Sequence, residues 1–335
     1  MRITVVSDAE LVNSNYRAYQ PMGVLARRGH ELTVNRPGER RFDPASLLAS
    51  DVVHIHRYAD PEMLEMVQRA RAAGVGVVWD NDDDITSIPR SNPHYRRLGG
   101  PANSARVRQA IGRMVASVDV VTTPSEALAD QYRAAGAADV RVLENFLPPE
   151  FGSAKPVKHD GVVIAWLAGL EHQADYQQLR LKETFEHLLD AHPDVRFMSI
   201  GLGLGLPAER YEHLPLVDFL DLARTLARAD VGVAPLADIP WNRARSNIKL
   251  KEYAAAGLPW LASPVGPYLG LGEQQGGRLV ADDDWSGALD ELIVNARARR
   301  KLAKRAAKWA KGQAVERHAH LWERALEDAR TSAAR

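Results

Sequence analysis

Short apolar runs rich in β-branched residues recur at positions 3–6, 31–34, 52–55, 75–79, 118–122 and 140–143. They lack strict alternation of apolar and polar positions, the pattern of strands covered on both faces of a parallel sheet. Between them, residues 16–28, 61–73 and 124–135 have helical periodicity, and each stretch is closed by a glycine, Gly29, Gly74 and Gly136. Thr123 and Glu126 have the spacing of a capping box for the third stretch, with Pro124 at its first helical position. This alternation predicts a right-handed doubly wound α/β domain over residues 1–148.

The pattern breaks at E-N-F-L-P-P-E-F-G-S-A-K-P-V-K-H-D, residues 144–160, and 149–160 reads as a linker. Strand patterns then resume at 162–167, 196–200, 231–235 and 259–263. Helical ones lie at 176–191, 217–227, 246–256 and 285–296. Asp175, with Gln178 three residues on, is expected to cap the first of these helices. A second Rossmann-like domain over 161–312 follows, with 313–335 as a C-terminal helix that can pack back on the first domain. Two such sheets place a cleft between their strand C-termini.

A length of 335 residues suits two domains. Lys plus Arg and Asp plus Glu are 43 each, so no global field favours nucleic acid as a partner. The chain has no cysteine, which excludes disulfides, thiolate metal sites and a cysteine nucleophile. The opening R-I-T-V-V enters a strand without a leader-like run, and no apolar stretch approaches the roughly 18 residues of a membrane span. The expectation is a cytoplasmic protein.

The densest chemistry falls in residues 245–263, R-S-N-I-K-L-K-E-Y-A-A-A-G-L-P-W-L-A-S. A helix is predicted to begin at Ser246 and Asn247 and to stop at Gly257. Its N-terminal N–H groups and dipole suit a phosphate. Lys249 adds a full charge one turn in. Glu252, three residues further on the same face, can accept from two neighbouring sugar hydroxyls. Phosphate at one end and a diol at the other describe a nucleoside diphosphate with its ribose. The plain alternative is a solvated helix carrying a Lys and a Glu.

Several segments occur in a telling order: L-A-R-R-G-H-E-L, V-D-V-V-T-T-P-S-E-A-L, V-R-V-L-E-N-F, A-R-A-D-V-G-V-A-P-L and S-N-I-K-L-K-E-Y-A-A-A-G-L-P-W-L-A-S. Together, over nearly the whole chain to about residue 281, they resemble the GT-B glycosyltransferases, in detail the family-4-type retaining enzymes. The resemblance implies two Rossmann-like domains facing across a cleft, the second holding a nucleotide sugar and the first presenting an acceptor. Glu252 matches the second glutamate of the family's E-x7-E motif, which holds the ribose, and Ser246 and Asn247 fall where backbone amides meet the diphosphate. The first glutamate would stand at Ala244, so the sugar contacts depart from the pattern, with Arg245, Asn242 or Asp238 as candidates to supply them. The family's usual Arg and Lys are also missing from W-L-A-G-L-E-H-Q-A-D-Y. Lys249 and Arg245 are the replacements in charge.

Other segments carry two readings each. W-D-N-D-D-D, residues 79–84, looks like an Asp-x-Asp metal motif, but lies in the domain opposite the diphosphate. Asp80 is a candidate catalytic group near the reaction centre, and Asp82 to Asp84 read as structural or acceptor-facing. In the loop from Ser7 to Arg17, Asn15 and Arg17 are candidates for the acceptor or cleft. Gly169, ending the first strand of the second domain, is a candidate donor contact, with His172 beside it in the cleft. G-L-G-L-G at 201–205 fails as a dinucleotide fingerprint, since Leu206 or Ala208 would be its third glycine. His54 and His56 share one side of a strand. Residues 297–311, R-A-R-R-K-L-A-K-R-A-A-K-W-A-K, form a basic amphipathic pattern with Leu302, Ala306 and Trp309 along one side. That pattern serves either anionic lipid, and so a place at the inner face of the membrane, or packing on the sheet.

The resulting expectation is a metal-independent, retaining hexosyltransferase. A nucleoside diphosphate sugar is its co-substrate, no other cofactor is needed, and the acceptor is a glycan, a lipid-linked glycan or a small molecule. Lys249, Arg245 and Asp80 are its candidate catalytic groups. The alternatives are a silent glycosyltransferase-like nucleotide-binding protein and a sugar-nucleotide epimerase.

Overall fold

A computed structural model describes residues 1–7, 14–36, 43–153 and 155–334. Among them are two six-stranded sheets whose neighbouring strands pair in parallel. The first contains β1 (Arg2–Val6), β2 (Glu31–Asn35), β3 (Val52–His56), β4 (Gly76–Asp80), β5 (Val120–Thr123) and β6 (Val140–Val142) in the order β2-β1-β3-β4-β5-β6. The second contains β7 (Val162–Ala168), β8 (Val195–Gly201), β9 (Tyr211–Leu214), β10 (Val231–Ala234), β11 (Trp260–Ala262) and β12 (Gly277–Leu279) in the order β12-β11-β10-β7-β8-β9. The strand order reverses between β1 and β3 in one sheet and between β7 and β10 in the other. Crevices open at such points beyond the strand C-termini. The two crevices face each other.

The central strands are buried along their whole length, β3 and β4 at every position, which explains their unbroken apolar runs. Several local expectations shift. The helix expected at 124–135 starts at Glu126, and Ser125, not Thr123, accepts from Leu128 N. Thr123 is the last residue of β5, so its backbone is committed to the ladder and the cap falls two residues later. The stretch 176–191 is two helices, Gln173–Gln178 and Leu181–Ala191, separated where Arg180 takes a φ of 51°. Asp175 therefore sits inside the first of them and caps neither. The helix expected at 217–227 shortens to Leu222–Leu226, behind a 3-10 turn at Phe219–Asp221.

The chain passes between the domains twice, side by side: Leu147 pairs in parallel with Ala314. Beyond the second passage, the His320–Ala333 helix buries Trp322, Ala325, Leu326 and Ala329 in the first domain's core with Ile3, Val5, Val78 and Val120. The basic Ala296–Ala310 helix buries Leu302, Ala306 and Ala310 against the second domain. Among the described residues, no helix is long and apolar enough to cross a membrane.

Candidate functional site

Gly257, at φ +81°, ends the Ile248–Ala255 helix where the sequence predicts. The helix starts after Asn247 and points its first turn at the loop following β7. There Lys249 Nζ lies 2.9 Å from His172 Nε2, and His172 Nδ1 lies 2.7 Å from Asp175 Oδ2. Asp175 Oδ1 accepts from Asn242 Nδ2 at 2.7 Å and from Ala237 N at 2.9 Å. Burial, with Lys249 next, pushes His172 down to about 4. The ring is thus neutral near pH 7: Nδ1–H donates to Asp175, and Nε2 accepts from Lys249. Burial and the nearby Arg245 bring Lys249 itself down to about 8. The ammonium is fixed by one of its three hydrogens, and two remain for a ligand.

Arg245 completes this positive end. Its Nη2 is 3.2 Å from Glu171 Oε1, and its guanidinium lies 5.9 Å from the centre of the Trp241 ring. Burial opposes ionisation of Glu171, but Arg245, His172 and Lys249 hold its carboxyl at about 2. Gly169 matters by what it lacks: a β-carbon there would run into the Glu171 carboxylate.

Across the crevice, the first domain supplies the segment Asn15–Tyr19, one turn of π-helix. Asn15 is half-buried at its start. Residues 8–13 of the preceding loop lie outside the described residues. Tyr16 donates its phenolic hydrogen to Glu252 Oε1. Arg17 turns inward: Nε and Nη2 bond Asp80 Oδ1 and Oδ2 at 3.0 and 2.6 Å, and Nη1 bonds Asn145 Oδ1 at 3.0 Å and the Leu143 carbonyl. Thr122 Oγ1 donates to Asp80 Oδ2 at 2.5 Å. Both members of this pair are fully buried. Burial works against the Asp80 charge, and Arg17 overrides it and holds the carboxyl below its ordinary value.

The remaining acids of residues 79–84 are each engaged. Asp82 Oδ1 meets Arg57 Nε at 2.6 Å and His56 Nε2 at 3.2 Å, Asp83 Oδ2 meets Arg57 Nη2 at 2.6 Å, and Asp84 caps the Ile85–Ser87 turn. Among the described residues no group of three or more His, Asp or Glu side chains could hold a metal ion.

The two domains meet through side chains at the same place. Asn145 Nδ2 bonds Ser246 Oγ at 3.2 Å, Lys251 Nζ bonds Glu144 Oε2 at 2.7 Å, and Ser125 Oγ bonds the Ala244 carbonyl at 2.8 Å. Ala244 is itself buried in the first domain's apolar cluster, so a larger acidic side chain has no room there. Of the candidates to supply sugar contacts in its stead, Asn242 spends its amide on Asp175 and the Ala237 carbonyl. Asp238 is exposed and paired with Arg243. Sequence reasoning assembled Gly169, His172, Arg245, Ser246, Asn247, Lys249 and Glu252 at one crevice. It missed Tyr16, Glu171 and Asn145. Glu171 stood in G-L-E-H beside His172, and that adjacency was the signal available.

Residues 161–296 match the family model described as "Glycosyl transferases group 1". No curated protein matches the sequence. The chain is similar to solved structures over nearly its whole length. Sucrose-phosphate synthase from Thermosynechococcus elongatus superposes with a TM-score of 0.69 at 12% identity, covering 99% of this chain and 100% of that one. HepE from Anabaena in complex with UDP-glucose gives 0.67 at 12% identity, covering 99% and 100%. A Listeria monocytogenes protein assigned as a UDP-N-acetylglucosamine 2-epimerase gives 0.59 at 12% identity, covering 99% and 97%. The fold is GT-B.

Proposed function

We propose that this GT-B glycosyltransferase moves a hexosyl group from a nucleoside diphosphate sugar to an acceptor hydroxyl with retention of anomeric configuration. The observation that carries the reading is Lys249, held by the neutral His172 at the opening of the Ile248–Ala255 helix, with Glu252 one turn on. As the glycosidic bond to the diphosphate breaks, negative charge grows on the leaving oxygen. Lys249, Arg245 and the amides near Ser246 and Asn247 stabilise that charge. Glu252 accepts from the ribose hydroxyls. The acceptor enters on the face the diphosphate leaves, and the departing phosphate oxygen takes the acceptor's proton, so the reaction needs neither a protein nucleophile nor a bound cation. Asp80 enters as a positioning residue, since its carboxylate is spent on Arg17 and Thr122. Asn15 and the 82–84 loop lie on the acceptor side, where a glycan, a lipid-linked glycan or a small molecule would bind.

The test is calorimetric titration of the protein with UDP, GDP, TDP and ADP, repeated on Lys249→Ala and Glu252→Ala. The UDP-glucose held by HepE makes UDP the first to try. Each substitution is expected to weaken the selected nucleotide roughly 10- to 150-fold. Binding that ignores both substitutions would overturn the assignment. The epimerase-like neighbour supports a second reading, which release of a free 2-epimer from a UDP-sugar without acceptor would favour.

A further inference from the structure

Glu171 lies three residues past β7, at the point where the second sheet's strand order reverses. Its side chain is 30% exposed, whereas His172 beside it is 1% exposed, so the carboxylate is open to a ligand and the imidazole is not. Arg245 and the residue's own backbone N–H occupy two acceptor positions of this carboxylate, out of about four. His172 Nε2 is 3.7 Å away. The pair also faces the opposite domain: burial raises the Asp83 carboxyl, and both Arg245 and Glu171 act on it across the gap.

A carboxylate beside two cations cannot itself take a phosphate, because like charges repel. It can take hydroxyl donors next to that phosphate. In the unloaded protein Arg245 and Glu171 compensate each other, which keeps neither charge stranded in a half-buried site. A diphosphate arriving at Lys249 competes for the Arg245 guanidinium and releases Glu171 Oε1. The released oxygen then stands one group along, where the sugar begins.

We propose that Glu171 is the donor-sugar recognition residue, its carboxylate accepting from hydroxyls of a neutral sugar while Arg245 turns to the diphosphate. This rests on the transferase reading above, and gives the sugar-binding role to a different loop from the one holding Ala244. Gly169 is part of the device, since it leaves the space in which the carboxylate lies. The substrate class is a neutral hydroxylated sugar. A uronic acid would set a second carboxylate against Glu171 and be rejected.

The experiment titrates the full chain with UDP, GDP, TDP and ADP and with their glucose esters, then repeats the selected pair and UDP-glucuronate on Glu171→Gln and Gly169→Ala. Glu171→Gln is expected to hold the nucleoside diphosphate within about twofold, to weaken the glucose ester roughly tenfold or more, and to narrow the discrimination against UDP-glucuronate. Gly169→Ala, which displaces the carboxylate while keeping it, is expected to show the same selective loss on the glucose ester. Equal weakening of nucleotide and glucose ester in Glu171→Gln would reduce Glu171 to a prop for Arg245 and overturn the proposal, as would no change in either. If wild type binds neither nucleotides nor glucose esters, the transferase reading falls first, and that result is seen without any substitution.

Discussion

Tyr16 of the first domain donates its hydroxyl hydrogen to the Glu252 carboxylate of the second, with its ring edge-on to Phe219 at 5.4 Å between centroids. Burial pushes both groups up, and Glu252 adds to the shift of Tyr16. The carboxylate assigned to the ribose is therefore already occupied in this form. A nucleotide must displace Tyr16, and its apparent affinity is reduced by the fraction of molecules with that contact closed. Tyr16→Phe is expected to bind the selected nucleoside diphosphate roughly three- to tenfold more tightly. Its unfolding free energy should fall by about 1–3 kcal/mol, because Glu252 loses a buried partner. Calorimetry and urea denaturation read the two effects. Weaker binding instead would place Tyr16 among the groups that hold the ligand.

Arg17 and Asp80 make a fully buried ion pair, both side chains at 0% exposure. Removing one partner strands the other charge, and Arg17→Met or Asp80→Asn is expected to cost about 3–5 kcal/mol of stability. The pH dependence has a definite sign. Asp80's folded value lies below its ordinary one, so its stabilisation is complete above the unfolded value of about 3.9 and is lost as pH falls through the lowered value. Denaturant midpoints measured from pH 7 down to pH 3 should fall less steeply in Asp80→Asn than in wild type. Equal slopes would show that Asp80 adds nothing to acid stability.

Much of this fold is legible because its central strands are apolar on both faces. The edge strands of the second sheet are not: β9 reads Y-E-H-L and β12 reads G-R-L, each short and partly exposed, so no apolar run announces them. The Pro101–Val115 helix buries only Ile111, Met114 and Val115, too narrow a stripe to stand out among its polar residues. At the site, the helix terminus was readable because its groups are local in sequence. Tyr16 and Glu252 are 236 residues apart, and Glu171 and Arg245 are 74 apart. No spacing rule reaches pairs that two sheets bring together. Asp175 misled for a related reason: a cap and a buried acceptor for His172 look alike until the helix boundaries are known.

Lys249, brought down to about 8 by burial and Arg245, ties nucleotide binding to pH. A bound diphosphate favours the ammonium, so binding raises its value and draws a proton from solution. At pH 8 the uptake should be about half a proton per site, approaching one above that and vanishing toward pH 6. Affinity should then decline by up to about tenfold per pH unit above pH 8. The stability of the unloaded protein moves the other way. Its Lys249 value lies below the unfolded value of about 10.4, so the unfolded chain holds more protons between the two, and this group's contribution rises with pH there. Calorimetry in buffers of different ionisation enthalpy measures the uptake. Wild type and Lys249→Met giving the same uptake would detach the effect from this residue.

The Ala296–Ala310 helix packs one face on the second domain and leaves its basic face exposed. Leu302, Ala306 and Ala310 are buried in the second domain's cores, with Trp309 half-buried beside them, so most of its apolar side is spent on packing. Arg297, Lys301, Lys304, Lys308 and Lys311 are exposed at alternating steps of four and three, which aligns them as one stripe. No Asp or Glu occurs between residues 292 and 315. A stripe of this kind attracts an anionic surface by about 1 kcal/mol per basic residue near it, and the attraction falls off within a Debye length. The expectation is binding to phosphatidylserine-containing vesicles at low salt that fades steeply by 0.3 M and is absent on phosphatidylcholine alone. Lys301→Glu, Lys304→Glu and Lys308→Glu together should abolish it while leaving the thermal transition in place, because all three side chains are exposed. Vesicle binding that resists both salt and the triple substitution would mean that another surface of the chain carries the contact.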